Sequence, residues 1–222
     1  IFGGSKSWQK QNFRFEFLKT LLLHADYVDR HFEISDLNGN HCTADAAALY
    51  TASLLLRDHG SAKRWQTRAW DILTVELPRQ VGVDGVDFEG SIPYHRLVTE
   101  LFVFPALYRE AVGHHVPNWY KERCLAMADF INSYMRSNGT SPLLGDADDA
   151  RLLPLGNQGI GDHAYLADLI YSCWAIGFQS KDGPVNSEML WLLDSHQRKK
   201  FRKIVHKNMS ADNVSRQFCE SG

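Results

Sequence analysis

Cysteine is scarce and badly placed for metal or disulfide chemistry: Cys42, Cys124, Cys173 and Cys219 are far apart, with no C-x-x-C pair and no metal-ligand rhythm. Disulfide scaffolds are small and cysteine-dense, so these four read as buried or free thiols. Net charge is nearly absent too, with 24 Lys and Arg against 26 Asp and Glu, a formal −2. A polyanion must therefore meet a local basic patch, because the global field will not draw it in, and nucleic acid is not an expected partner. The longest charge-free apolar run, residues 169–178, falls well short of the ~20 residues a membrane span needs. The chain opens on Ile1 without a charged n-region or an apolar h-region, so any signal peptide is expected upstream. Alternation of apolar and polar residues is also missing over any length that would make a buried strand.

What is present is helical periodicity in a chain that is 44% hydrophobic and 12% aromatic, enough for a sizeable core. Leu18, Leu21, Leu22, Ala25 and Val28 predict one amphipathic helix over 8–31. After the polar break at 35–39, Ala44, Ala48 and Ala52 predict a second helix whose alanines allow close helix contact, ended by Gly60-Ser61. Trp65, Ala69 and Ile72 predict a third, running to about Arg79. Leu97, Leu101 and Phe104 predict a fourth that Pro105 should kink. Pro117 suits the first turn of a fifth, with the stripe Tyr120, Cys124, Met127, Ala128, Ile131 and Met135. Leu166, Leu169, Ile170 and Cys173 predict another. The expected fold class is all-α, with helical hairpins laid side by side as a curved stack or toroid.

Two irregular stretches interrupt the helices. Residues 81–93 hold three glycines with Asp84, Asp87 and Glu89; residues 137–161 hold five glycines, two prolines and the cluster Asp146-Ala147-Asp148-Asp149. Loops of about a dozen residues in a compact domain are often functional. Three polar groups stand out. Asn40-His41 sits at a helix start, either as an N-cap with a first-turn His or as a donor pair aimed at an anion beside a helix N-terminus. Tyr94-His95-Arg96 opens the next long helix, either packed inward or presenting a phenol beside two cations. Asp146 and Asp148 lead to Arg151, either as an acidic turn closed by a local Arg pair or as a substrate-shaping edge; the spacing is not that of an EF-hand, and no metal is expected. The dense basic run 196–207 is either a solvated face or a polyanion contact.

Gly39-Asn40-His41, the acidic loop leading to Tyr94-His95-Arg96, and Gly145-Asp146-Ala147-Asp148-Asp149 together resemble the heparinase II/III family of polysaccharide lyases and lyase-like proteins, in its helical toroid region. The 54 positions from Asn40 to Tyr94 match how that family spaces its carboxylate-neutralising residue and its catalytic tyrosine. A departure is Cys42-Thr43, where relatives tend to carry bulkier residues. The resemblance implies an incomplete (α/α) toroid over 1–208 and a linker, or the start of a C-terminal β-sandwich domain, over 209–222. It also implies a fragment trimmed at both ends, whose β-sandwich partner domain, with a further active-site histidine, lies beyond it. A periplasmic or secreted location is implied, with no cofactor in this segment and room for a divalent metal in the β-sandwich domain.

The chemistry the resemblance implies is β-elimination on an acidic polysaccharide: loss of the proton at uronate C5 and expulsion of the 4-linked sugar. Asn40 with His41 would neutralise the adjacent carboxylate, and Tyr94 would act as base and then acid. Glu89, His95, Arg96, Asp146, Asp148 and Arg151 would contact or shape the substrate. A phenol of pKa ~10 must shift by about 3 units, roughly 4 kcal/mol, to be half ionised at neutral pH. Two charge-assisted donors at ~1.5–3 kcal/mol each would supply that, drawn from His41, His95, Arg96 and the absent histidine. The segment alone is expected to be inactive. The alternatives are an α-toroid glycoside hydrolase using Glu89 with Asp146 or Asp148, and a non-catalytic glycan-binding or surface-polysaccharide assembly module.

Overall fold

The structure is a computed structural model that describes residues 4–175, 186–193 and 217–220. The described residues form eight α-helices: α1 Lys6–Gln9, α2 Gln11–Arg30, α3 Asn40–Leu55, α4 Ala62–Gln80, α5 Ile92–Ala111, α6 Asn118–Tyr134, α7 Ala164–Trp174 and α8 Ser187–Leu192. They contain no strand; the one extended pairing among them is an isolated antiparallel bridge between Val81 and Asp87. None of these helices is long and apolar enough to cross a membrane. The basic run 196–207 and the expected boundary at 208/209 lie outside the described residues. The chain divides into two compact units, residues 1–76 and 77–222.

In the first unit the expected helix over 8–31 is two helices. Lys10 takes an extended conformation between them, and Ser5 caps the short α1 by accepting the Trp8 amide at 3.1 Å. The predicted stripe on α2 is the inward one, with Ala25 buried and Leu18, Leu21, Leu22 and Val28 half-buried. On α3 the expected alanine face holds only in part. Ala52 is buried and Ala44 half-buried, but Ala48 is exposed, and Ala46, Ala47, Leu49 and Tyr50 are buried as well. Leu49 and Tyr50, one and two positions from Ala48, bury more apolar area than an alanine ladder, so they set the helix rotation.

In the second unit α5 is buried nearly all round, from Val98 to Leu107, as an apolar helix without a polar face must be. Pro105 lies inside it, and the helix continues to Ala111. The α6 stripe is the predicted one up to its last residue: Tyr120, Cys124, Met127, Ala128 and Ile131 are all buried, whereas Met135 is the half-buried C-cap, and the Tyr120 hydroxyl donates to the Phe102 carbonyl at 2.9 Å.

Both irregular stretches are fastened to these helices. In loop 81–91, Phe88 N–H donates to Gln80 O at 2.8 Å and Gly82 N–H to Val86 O at 2.9 Å. Gly85 has φ +87°, and a Cβ there would lie 2.2 Å from the Ala126 carbonyl carbon, so α6 tolerates only glycine at this position. Gly145, at φ +79°, lets the second loop lie on the start of α5, where a Cβ would meet Ser91 Cα at 2.8 Å. Ser91 ties that corner together: its hydroxyl accepts the Tyr94 amide at 3.2 Å as N-cap and donates to the Asp146 carbonyl at 2.5 Å.

Candidate functional site

The residues singled out from the sequence fall in both units, Asn40 and His41 in the first and the others in the second.

In the first unit, loop 31–39 is fixed before α3 begins. The Glu33 amide donates to Asp45 Oδ2 at 2.9 Å, the Ser35 amide to Asn38 Oδ1 at 2.8 Å, and Asn38 Nδ2 to Glu76 Oε1 at 3.0 Å. Gly39 occupies the N-cap without a side-chain cap bond. Asn40 is therefore the first helical residue and not the cap, and its half-buried side chain stands at the positive end of the helix. His41 is exposed, with Nδ1 2.9 Å from Glu33 Oε2. A groove of about 440 Å³ runs beside it, lined by Glu33, Ile34, Ser35, Gly39, His41 and Cys42. Burial, and then the charge of Glu76, push the Cys42 thiol up to about 11, so it is a packing residue rather than a nucleophile. The corner combines an amide, an imidazole and a helix N-terminus, a set that suits an anionic group.

In the second unit, Tyr94 is half-buried in the first turn of α5. The charge of Asp148, followed by burial and the charges of Asp146 and Glu89, raises its pKa above the ordinary phenol value. Tyr94 thus lies within electrostatic reach of Asp148, Asp146 and Glu89.

His95, Arg96 and Arg151 do not join them. His95 is buried, with its ring edge-on to Phe130 at 4.9 Å and Nε2 3.4 Å from the Met127 carbonyl; Nδ1 has no partner. Burial lowers its pKa to about 3, so it is a neutral packing residue and not the expected cation. Arg96 is equally buried and donates to the carbonyls of Gly159 at 3.1 Å and Ala150 at 3.4 Å, pinning the second loop from beneath. The positive charge expected to lower the Tyr94 pKa thus points away from it.

The expected pairing of Arg151 with Asp146 and Asp148 is also corrected. Asp148 Oδ1 accepts the Ala150 amide at 2.9 Å, a local turn. Arg151 is buried between Glu100 on α5, with Nε to Oε1 at 2.6 Å, and Glu188 on α8, with Nη2 to Oε1 at 3.1 Å. Its guanidinium also lies 4.5 Å from the Tyr165 ring centroid. Two buried carboxylates outcompete two exposed ones because burial strengthens the pairing and leaves them no water as an alternative partner.

Sequence reading missed Glu100, Glu188 and His163. Glu100 gave a signal, a single acid inside an otherwise apolar helical run, which demands a buried partner. His163 gave none; it is buried, takes a hydrogen bond from the Tyr134 hydroxyl at Nδ1 (2.7 Å) and donates from Nε2 to the Ile160 carbonyl (2.8 Å).

The chain matches the family model for the heparinase II/III N-terminus over residues 1–155. Two curated relatives align with it. The heparin-sulfate lyase of Bacteroides thetaiotaomicron is 30% identical over 169 residues, covering 74% of this chain and 21% of the relative. The heparin-sulfate lyase of Pedobacter heparinus is 26% identical over 137 residues, covering 61% of this chain and 20% of the relative. The chain therefore spans about a fifth of the length of these relatives. No solved structure matches it significantly.

Proposed function

This chain belongs to the heparinase II/III N-terminal family, and from that premise we propose that it is the helical part of a lyase that cleaves a uronate-containing acidic polysaccharide by β-elimination. The observation that carries the reading is the family match over residues 1–155, which includes all three polar groups from Asn40 to Arg151. In this reading Asn40, with His41, donates to the uronate carboxylate. That group becomes dianionic in the enolate, so donors fixed at a helix N-terminus stabilise it more strongly after proton removal than before.

Tyr94 is the proton-transfer group. Its carboxylate neighbours favour the protonated phenol, which suits donation to the departing 4-oxygen. Use as a base requires a positive field stronger than the repulsion of Asp148, Asp146 and Glu89. His95 and Arg96 are turned inward, so that field falls to the histidine the family resemblance assigns to a β-sandwich domain. His95, Arg96 and Arg151 act as positioning residues: Arg96 and Arg151 hold the loop that carries Asp148.

A hydrolase reading has one observation in its favour, the charges of Glu89, Asp146 and Asp148 within electrostatic reach of Tyr94. Product chemistry separates the two. The protein at its full natural length, incubated with a sulfated uronate polymer, should yield unsaturated uronate ends with new ultraviolet absorbance in step with new reducing ends. Reducing ends without that absorbance would assign a hydrolase.

A further inference from the structure

Within the first unit, α2 and α4 meet over one carboxylate. Asp29, whose side chain is 5% exposed, accepts Arg64 Nη1 at 3.1 Å and Nη2 at 2.6 Å, together with Arg68 Nη1 at 2.8 Å. Arg68 donates to the Asp29 backbone carbonyl as well and lies over the Phe32 ring, 4.4 Å from its centroid. Both guanidinium groups are thus held in place. Among the described residues, Nε of Arg64 and Nε and Nη2 of Arg68 reach no acceptor.

These two side chains, with Lys63, Thr67, Asp71 and Ile34, line a groove of about 830 Å³. Two guanidiniums share the Asp29 carboxylate, Asp26 acts on Arg64 while pairing with Arg30 at 2.8 Å, and Lys63 adds a cation to a lining whose one acid is Asp71. Lys63 and Arg64 also occupy the first turn of α4, which holds no acidic residue. Cations there face the positive end of the helix dipole, which Asp29 offsets for Arg64 and no described carboxylate offsets for Lys63. Ile34 lines this groove and the smaller one beside His41, so the two adjoin.

We propose that Lys63, Arg64 and Arg68 form an anionic-sugar subsite, which takes a sulfate or carboxylate of the residue next to the one held at Asn40 and His41. The placing next to Asn40 rests on the lyase reading; the anion site itself does not. A guanidinium fork matches both anions with paired hydrogen bonds, and Asp29 has already ordered the forks, so little side-chain entropy remains to be lost on binding. Thr67 adds a hydroxyl at the rim, and Ile34 an apolar wall for a sugar face.

The test is titration of the 222-residue chain at two salt concentrations with a sulfated uronate oligosaccharide, a sulfate-free uronate oligosaccharide and a neutral oligosaccharide. The wild type should bind the sulfated ligand more weakly as salt rises and should not bind the neutral one. Lys63→Glu, at an exposed position with no described partner, should weaken binding about tenfold and flatten the salt dependence, with thermal unfolding unchanged. Arg64→Lys, which keeps a charge beside Asp29 but loses the fork, should weaken it about threefold or more. Loss confined to the sulfated ligand assigns the subsite to a sulfate, and loss with both acidic ligands assigns it to a carboxylate. Wild-type affinity in both Lys63→Glu and Arg64→Lys overturns the subsite, as does a wild type that binds no acidic oligosaccharide. The lyase reading is decided separately by product absorbance, so either proposal can fail with the other intact.

Discussion

Replacing Asp87 by Asn should stabilise the chain at neutral pH, and by less as the pH falls. Asp87 is 2% exposed and neither carboxylate oxygen has a hydrogen-bond partner. Burial, and then the charge of Glu89, push its pKa from 3.8 up to about 7. With the folded value raised, the favourable protonated state is fully available below about pH 4, and stability is lost as the pH rises toward 7. At about 1.4 kcal/mol per unit over roughly three units, the charge costs on the order of 4 kcal/mol at pH 7.5. At pH 5 the same reasoning leaves about 1.5 kcal/mol. The asparagine amide has its own polar atoms to bury, at ~1–3 kcal/mol, and that cost does not depend on pH. The difference between the two conditions, about 2–3 kcal/mol, is therefore the quantity to read. Urea unfolding followed by tryptophan fluorescence at pH 7.5 and pH 5 gives it for both proteins. A stability difference equal at the two pH values, or larger at pH 5, would refute a buried, unpaired carboxyl.

His95 and His163 oppose Asp87: burial lowers them to about 3 and about 4, so their stability contribution is complete above pH ~6.5 and lost below it. Together they should remove about 2.7 kcal/mol per pH unit below 6.5, most visibly in Asp87→Asn, where the offsetting titration is gone; a flat profile from pH 7 to 5 in that variant contradicts this. Arg151→Met should cost about 3–5 kcal/mol, because Glu100 and Glu188 stay buried without their cation, and Arg151→Lys should cost less; a urea midpoint close to that of the wild type for Arg151→Met would be contrary. Gly85→Ala should cost more than about 2 kcal/mol, since both the positive φ and the Ala126 backbone oppose a Cβ; circular dichroism melting at the wild-type temperature would show that the loop has room.

Helix positions were legible because burial follows periodicity: the stripe from Tyr120 to Ile131 lies inward as read. The break at Lys10 was not, since Ser5 caps a helix only one turn long and no proline or glycine marks the interruption. In the candidate site the sequence placed the polar residues at helix starts and in loops but not the direction of each side chain. Tyr94, His95 and Arg96 are consecutive, so successive 100° steps around α5 send them to different surroundings, and only Tyr94 stays half-exposed. Charge partners were the least legible feature. Arg151 bypasses Asp146 and Asp148, close in sequence, for Glu100 and Glu188, 51 and 37 positions away, and only the fold brings those together. Arg64 and Arg68, one turn apart on α4, converge on Asp29 for the same reason.

The most direct test of the proposed chemistry is turnover of a uronate polymer by the Tyr94→Phe variant of the full-length protein, followed by ultraviolet absorbance of the unsaturated product. The phenol carries the proton in the proposed step, and a positioned acid-base group contributes ~10²–10⁴-fold. The variant should therefore fall to background while its affinity for the polymer and its unfolding midpoint stay at the wild-type values. Wild-type turnover by Tyr94→Phe would remove Tyr94 from the reaction.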